Sequence, residues 1–149
     1  QHSKEYVEDE AVGYELPPKL NLNTADSLAL LSLKGLGPFF VKEIIRLREN
    51  LGGIRDYSQL LEIYKMSDET ISLIADQTFI SESDFEYINI NTVDVNRLGR
   101  HPYLTWKQAK IIVNYRFQHG PYTSLEDLKR INAINDSVYF NIRPYLVLE

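Results

Sequence analysis

S-L-K-G-L-G-P-F-F-V-K-E-I-I-R-L-R, residues 32–48, is a tight turn that runs straight into a helix. Gly35 and Gly37 flank Leu36, and each glycine can supply the positive φ or close backbone approach that a helix-to-helix turn needs. Leu36 between them drops into a core as an anchor. Pro38 fits the first helical position, where its missing N–H has no partner to lose. From there Phe40, Val41, Ile44, Ile45 and Leu47 recur at helical spacing as one apolar stripe. A Gly-apolar-Gly turn at a helix N-terminus leaves N–H groups pointing outward, backed by the positive end of the helix dipole, and so suits a phosphate. Lys34 in the turn, with Lys42 and Arg46 four residues apart along one side of the helix, adds cationic partners. The same group also reads as plain turn chemistry beside a solvated helix face.

Outward from this stretch, the chain repeats itself at a constant shift of 68 residues without gaps. Fourteen identical pairs fall between 20 and 80, among them Asn21/Asn89, Asn23/Asn91, Thr24/Thr92, Asp26/Asp94, Leu36/Leu104, Lys42/Lys110, Arg48/Arg116 and Gly52/Gly120. That density marks a duplication. Each copy reads as four short helices with a start signal before each one. In the first copy these are Asn23 with Asp26, Gly37-Pro38, Asp56 with Gln59, and Ser67. The second copy uses Asn91 with Asp94, Thr105 with Gln108, Ser124 with Asp127, and Asn135. Gly52-Gly53 and Gly120-Pro121 end the long helices. Each copy is therefore two helical hairpins joined in the middle, with tight turns at 33–37, 64–67, 101–105 and 132–135. Roughly 60 residues is near the lower limit for an independent core, so the two copies are expected to pack together.

Composition is that of an ordinary soluble globular protein, 44% apolar and 25% charged. No run approaches the ~18 apolar residues of a membrane span. Without cysteine there is neither a disulfide framework nor a thiolate metal site. Beginning at Gln1 without a methionine, the chain reads as a fragment or processed product. The net charge of −5 argues against nucleic acid until it is divided by segment. Residues 1–19 carry two positive and five negative charges and close on Pro17-Pro18, a flexible acidic tail; 81–87 carry three negatives, a linker. Residues 20–80 have six positive against eight negative, and 88–149 eight against five.

L-N-L-N-T-A-D at 20–26, K-G-L-G-P at 34–38, I-I-R-L-R at 44–48 and G-G-I at 52–54 resemble the double helix-hairpin-helix unit of bacterial ComEA-like competence proteins. The second copy repeats it as I-N-I-N-T-V-D at 88–94, I-I-V-N-Y-R at 111–116 and S-L-E-D-L at 124–128. The resemblance implies an all-α fold of two tandem units, 20–80 and 88–149, of four short helices each. It also implies a non-enzymatic module that binds double-stranded DNA without sequence preference, through hairpin amides on phosphate oxygens, in DNA uptake or repair. A monovalent cation held on turn carbonyls, here at 34–37, belongs to the same picture; no other cofactor, small-molecule substrate or membrane contact is expected. Export, or anchoring through a segment outside this chain, are the locations it leaves open.

The expected DNA-binding residues are Lys34, Gly35, Leu36, Gly37, Lys42 and Arg46, with Arg100, Lys107 and Lys110 as a basic edge on the second copy, joined there by Arg97 and His101. Three of the four turns depart from the pattern. Y-K-M-S at 64–67, H-P-Y-L-T at 101–105 and N-A-I-N at 132–135 keep an apolar anchor in Met66, Leu104 and Ile134 but have no glycine. Asn132 and Asn135 can tolerate left-handed backbone in their place. A structural or protein-interaction scaffold with degenerate hairpins, and hence a protein partner, is the competing expectation. Arg48 and Arg116, at matching places before a helix end, read as structural cations, and the tyrosines as core and rim packing. His2, His101 and His119 lie too far apart to suggest a metal site. Glycosylases built on a similar hairpin often carry a lysine where Phe39 stands here, and Asp56 reads as a helix cap, so no catalytic residue is expected.

Overall fold

A computed structural model describes residues 17–149; of the acidic tail read at 1–19, residues 1–16 lie outside the described residues. The protein is mostly helical, and the duplication is visible in its element boundaries. The first unit runs β1 (Leu20–Asn21), α1 (Ser27–Leu31), α2 (Pro38–Leu51), a 3-10 helix (Tyr57–Glu62), α3 (Asp68–Gln77) and β2 (Thr78–Phe79). The second runs β3 (Ile88–Asn89), α4 (Val95–Gly99), α5 (Trp106–His119), a 3-10 helix (Leu125–Arg130), α6 (Asp136–Ile142) and β4 (Leu146–Val147). Boundaries shift by the sequence offset almost throughout. The exception is the end of α6, which tightens into a 3-10 turn at Arg143–Tyr145, where Pro144 has no N–H for an α-helical bond.

The start signals work as local chemistry predicts. Asp26, Ser67, Asp94 and Asn135 each accept a bond from a first-turn amide, and Asp56, Thr105 and Ser124 form full capping boxes. Three features differ from the sequence reading. The third helix of each unit is 3-10 rather than α. Two-residue parallel ladders, Leu20 with Thr78 and Ile88 with Leu146, tie the ends of each unit together. And Asn23 and Asn91 are not caps: Asn23 donates to Ile54 O (2.9 Å) and accepts from Ile54 N (2.8 Å). Asn91 does the same with Tyr122 (3.0 and 2.7 Å), holding the crossover loop against the start of its unit. Arg48 and Arg116 complete that lock, each donating at 2.9 Å to a carbonyl beside the first strand, Leu22 O and Ile90 O.

Each unit buries its own core. Leu22, Leu30, Ile44, Leu51, Ile54, Leu60 and Ile74 are sealed in the first, and Ile90, Leu98, Ile112, Leu128, Tyr139 and Ile142 in the second. The units interlock through Tyr145, which leaves the second unit to pack into the core of the first, and Tyr103, which borders both. Gln59 donates to both tyrosine hydroxyls, at 2.9 Å to Tyr103. The guanidinium of Arg55 lies over the rings of Phe85 and Tyr145 (4.5 and 4.7 Å) and donates to Pro144 O (2.8 Å). Gly52 closes α2 at φ +86 and meets the connector so closely that a Cβ would fall 2.2 Å from Glu86 O.

Candidate nucleic-acid interface

The four hairpin turns align residue for residue, with Gly37, Ser67, Thr105 and Asn135 as the four N-caps. Their amides differ. In the second, third and fourth hairpins the central N–H is consumed inside the turn: Met66 N to Ile63 O (3.1 Å), Leu104 N to His101 O (3.2 Å) and Ile134 N to Ile131 O (3.0 Å). The helix that follows is capped by a side chain in each, Ser67 to Thr70 N, Thr105 to Gln108 N and Asn135 to Val138 N. In the first hairpin neither happens. The N–H groups of Gly35, Leu36 and Gly37, and those of Phe39 and Phe40 in the first turn of α2, meet no acceptor among the described residues. Several unpaired donors and the positive end of a 14-residue helix thus lie together at a corner where Gly35, Gly37 and Phe39 are exposed.

This corner is braced from behind. Gln77, the last residue of α3, accepts from Lys34 N (2.9 Å) and donates to Lys34 O (3.1 Å), so the Lys34 amide is taken while the three after it stay open. Gly35 stands at φ +87 against Leu73, whose Cδ1 a Cβ would approach to 2.9 Å. Gly37 adopts φ −98 with open space where a Cβ would be, so it is extended backbone and shows neither the positive φ nor the close approach expected of it. Leu36 is buried at 7% exposure, its side chain anchored in the core as expected. Lys34, Lys42 and Arg46 are exposed around the same hairpin, and Arg46 reaches Glu43 at 3.4 Å in the one ion pair found among the described residues. The carbonyls of Leu33 and Gly35 accept no hydrogen bond among the described residues, and uncharged oxygens of this kind fit an alkali cation.

Elsewhere the expected basic edge divides. Arg100, Lys107 and Lys110 are exposed on the third hairpin. Arg97 is not part of it, because its guanidinium donates to Glu49 O and Asn50 O (3.2 Å each) at the C-terminus of α2, across the unit boundary. His101 is buried at 1% exposure, stands edge-on to Tyr145 and accepts from Tyr103 N through Nδ1 (3.1 Å). Burial, with the Arg97 cation nearby, pushes its pKa down to about 3, so it is a neutral anchor and not a cationic contact. The left-handed residue that replaces glycine is Lys65 at φ 65, rather than Asn132 or Asn135. Gln77 had no signal in the sequence, since its role depends on where α3 ends.

Comparison with known proteins agrees with this geometry. A family model described as the helix-hairpin-helix motif matches residues 18–78 and 83–147. Three relatives carry the name "Endonuclease/exonuclease/phosphatase family domain-containing protein 1". That of Danio rerio is 30% identical, that of Xenopus laevis 27% and that of Homo sapiens 25%. Each alignment covers 88% of this chain but only 27 to 28% of the relative, so the chain spans about a quarter of the length of these proteins. No solved structure matches. The two matched segments together take in both structural units, and the chain belongs to the helix-hairpin-helix motif family, whose members generally bind nucleic acid.

Proposed function

We propose that this chain is a non-enzymatic module that holds double-stranded DNA by its phosphate backbone, without reading sequence, at the Gly35-Leu36-Gly37 corner. The observation that carries the reading is the unpaired central amide of Leu36 and the uncapped first turn of α2 in the first hairpin, set against a captured central amide and a side-chain cap in each of the other three. Backbone N–H groups and a helix N-terminus recognise phosphate geometry and carry no base information. Lys34, Lys42 and Arg46 add long-range attraction, Arg100, Lys107 and Lys110 extend it along the second unit, and an alkali cation on the turn carbonyls offsets phosphate charge. The named relatives favour a role in DNA processing over uptake: a module of this kind would hold the nucleic acid for an endonuclease/exonuclease/phosphatase domain such as their name describes.

The three self-capped hairpins favour a second reading, a scaffold that keeps the helical core and binds protein rather than DNA. Duplex DNA of arbitrary sequence, titrated at low and moderate salt with the parent chain and Gly37→Asp, separates the two. A Cβ at Gly37 meets nothing within 4 Å, so a carboxylate is free there to take the first-turn amides as Asp26 does in α1, whereas a side chain at Gly35 would strain the left-handed backbone and strike Leu73. Salt-sensitive binding by the parent that Gly37→Asp loses is expected. Absence of salt-sensitive binding refutes the DNA reading, and equal binding by the variant refutes the assignment to this corner.

A further inference from the structure

The third hairpin, with its amides capped, has been rebuilt at its surface. Where the first unit has Leu31 and Pro38, the second has Gly99 and Trp106, so a large ring has moved across the turn and a glycine has opened to receive it. The benzo edge of Trp106 lies so close to Gly99 that a Cβ there would come within 2.4 Å of Cε3 and 2.7 Å of Cζ3. The indole is thus seated against backbone, yet 53% of the residue is exposed. Trp106, Lys110 and Phe117 fall within roughly 40° of one another around α5 at 100° per residue, with Lys107 flanking them. Phe117 is 76% exposed about 16 Å along the axis, at 1.5 Å per residue.

Charge marks the occupant. From Val95 to Leu125 the chain carries five lysines and arginines and no aspartate or glutamate, whereas the matching stretch of the first unit, 27–57, carries three carboxylates among its five cations. Arg97 and Arg116 are spent on carbonyls, which leaves Arg100, Lys107 and Lys110 exposed around the indole. An exposed aromatic side chain in a basic stretch without carboxylates suits a strand whose bases are free to stack, rather than a duplex whose bases already stack on each other.

We infer that the third hairpin binds unpaired nucleotides, a base stacking on Trp106 while Arg100, Lys107 and Lys110 take the adjoining phosphates. This goes beyond the duplex reading and uses a different hairpin. Trp106 is the sole tryptophan, so its emission reports the site directly. The whole chain is titrated at low salt with a short oligo(dT) and a short oligo(U), following tryptophan quenching and, in parallel, anisotropy of the labelled strands. Saturable quenching by one or both is expected, the two arms telling DNA from RNA. Trp106→Ala should weaken binding by about tenfold, Trp106→Phe by less. Lys107→Gln with Lys110→Gln should flatten the salt dependence at unchanged thermal stability. Gly37→Asp should leave the quenching intact, so failure of the duplex reading and failure of this one are distinguishable. No saturable quenching by either strand, or equal binding by Trp106→Ala, overturns the inference.

Discussion

Gly37 is the position at which stability and binding should move in opposite directions. It is the N-cap of α2, with φ −98 and ψ 179, angles open to any residue, and a Cβ placed on it meets nothing within 4 Å. A serine there can do what Ser67, Thr105 and Asn135 do in the other hairpins: accept from a first-turn amide. Serine caps better than glycine by a few tenths of a kcal/mol, and alanine is worse than serine by about 1 kcal/mol. Urea denaturation should therefore rank Gly37→Ser above the parent and the parent above Gly37→Ala. Duplex affinity should rank differently. The serine hydroxyl occupies an amide that phosphate would use, and a hydrogen bond to a charged group contributes about 1.5–3 kcal/mol, so Gly37→Ser should bind about tenfold to a hundredfold more weakly. Gly37→Ala leaves the amides open and should bind within about fivefold of the parent, given the small ~1 kcal/mol scale of surface effects. Anisotropy with a labelled duplex at low salt reads this directly. A serine variant that is more stable and binds as tightly as the parent would show that phosphate does not use these amides. One no more stable than the alanine variant would show that the cap geometry is wrong.

Replacing Asn23 or Asn91 with alanine removes two bonds to the crossover loop and strands the backbone groups of Ile54 or Tyr122, which should cost about 2 kcal/mol in each unit by urea midpoint. The Asn91 change should cost more, since Asn91 also donates to Leu148 O. Arg55→Ala removes the guanidinium stacked between the units, and because Trp106 reports only the second unit, its fluorescence transition should separate from the far-ultraviolet one; coincident transitions would show that the units do not rely on this contact. His101 titrates at about 3 when folded against 6.5 when unfolded. The unfolded chain therefore binds the extra proton between those values, and stability should be level above pH 6.5 and fall by up to about 1.4 kcal/mol per unit as pH drops toward 3. His101→Leu, matching the aliphatic residues at the other three turns, should flatten that slope; an unchanged profile would place the acid sensitivity elsewhere.

The architecture was legible because it is written in local, repeated signals. A cap residue satisfies amides two or three positions away, and an apolar stripe needs only its neighbours on one helix face, so Asp26, Thr105 with Gln108, and Ile44 with Leu47 announced their places without tertiary information. The fixed offset then carried the same assignment into the second copy. The turn at 34–37 was legible for the same reason, as was the loss of glycine from the other three. Two-residue ladders such as Leu20 with Thr78 have too few residues to show a period, and nothing local distinguishes a 3-10 from an α-helical turn at Tyr57–Glu62.

What only the folded molecule decided was which polar groups remained unused. Arg97 and Arg100 are both arginines at the end of one short helix, yet one reaches the carbonyls of α2 and the other stays in solvent, because the packing of the second unit on the first sets which side faces the boundary. His101 became a neutral buried anchor when Tyr145 closed over it. The Lys34 amide was taken by Gln77 from 43 residues away, while those of Gly35, Leu36 and Gly37 were left open. Chain-local chemistry determines helices and turns because their partners are a few residues apart; whether a donor or a charge is free for a ligand depends on groups distant in sequence, and only the assembled contacts determine that.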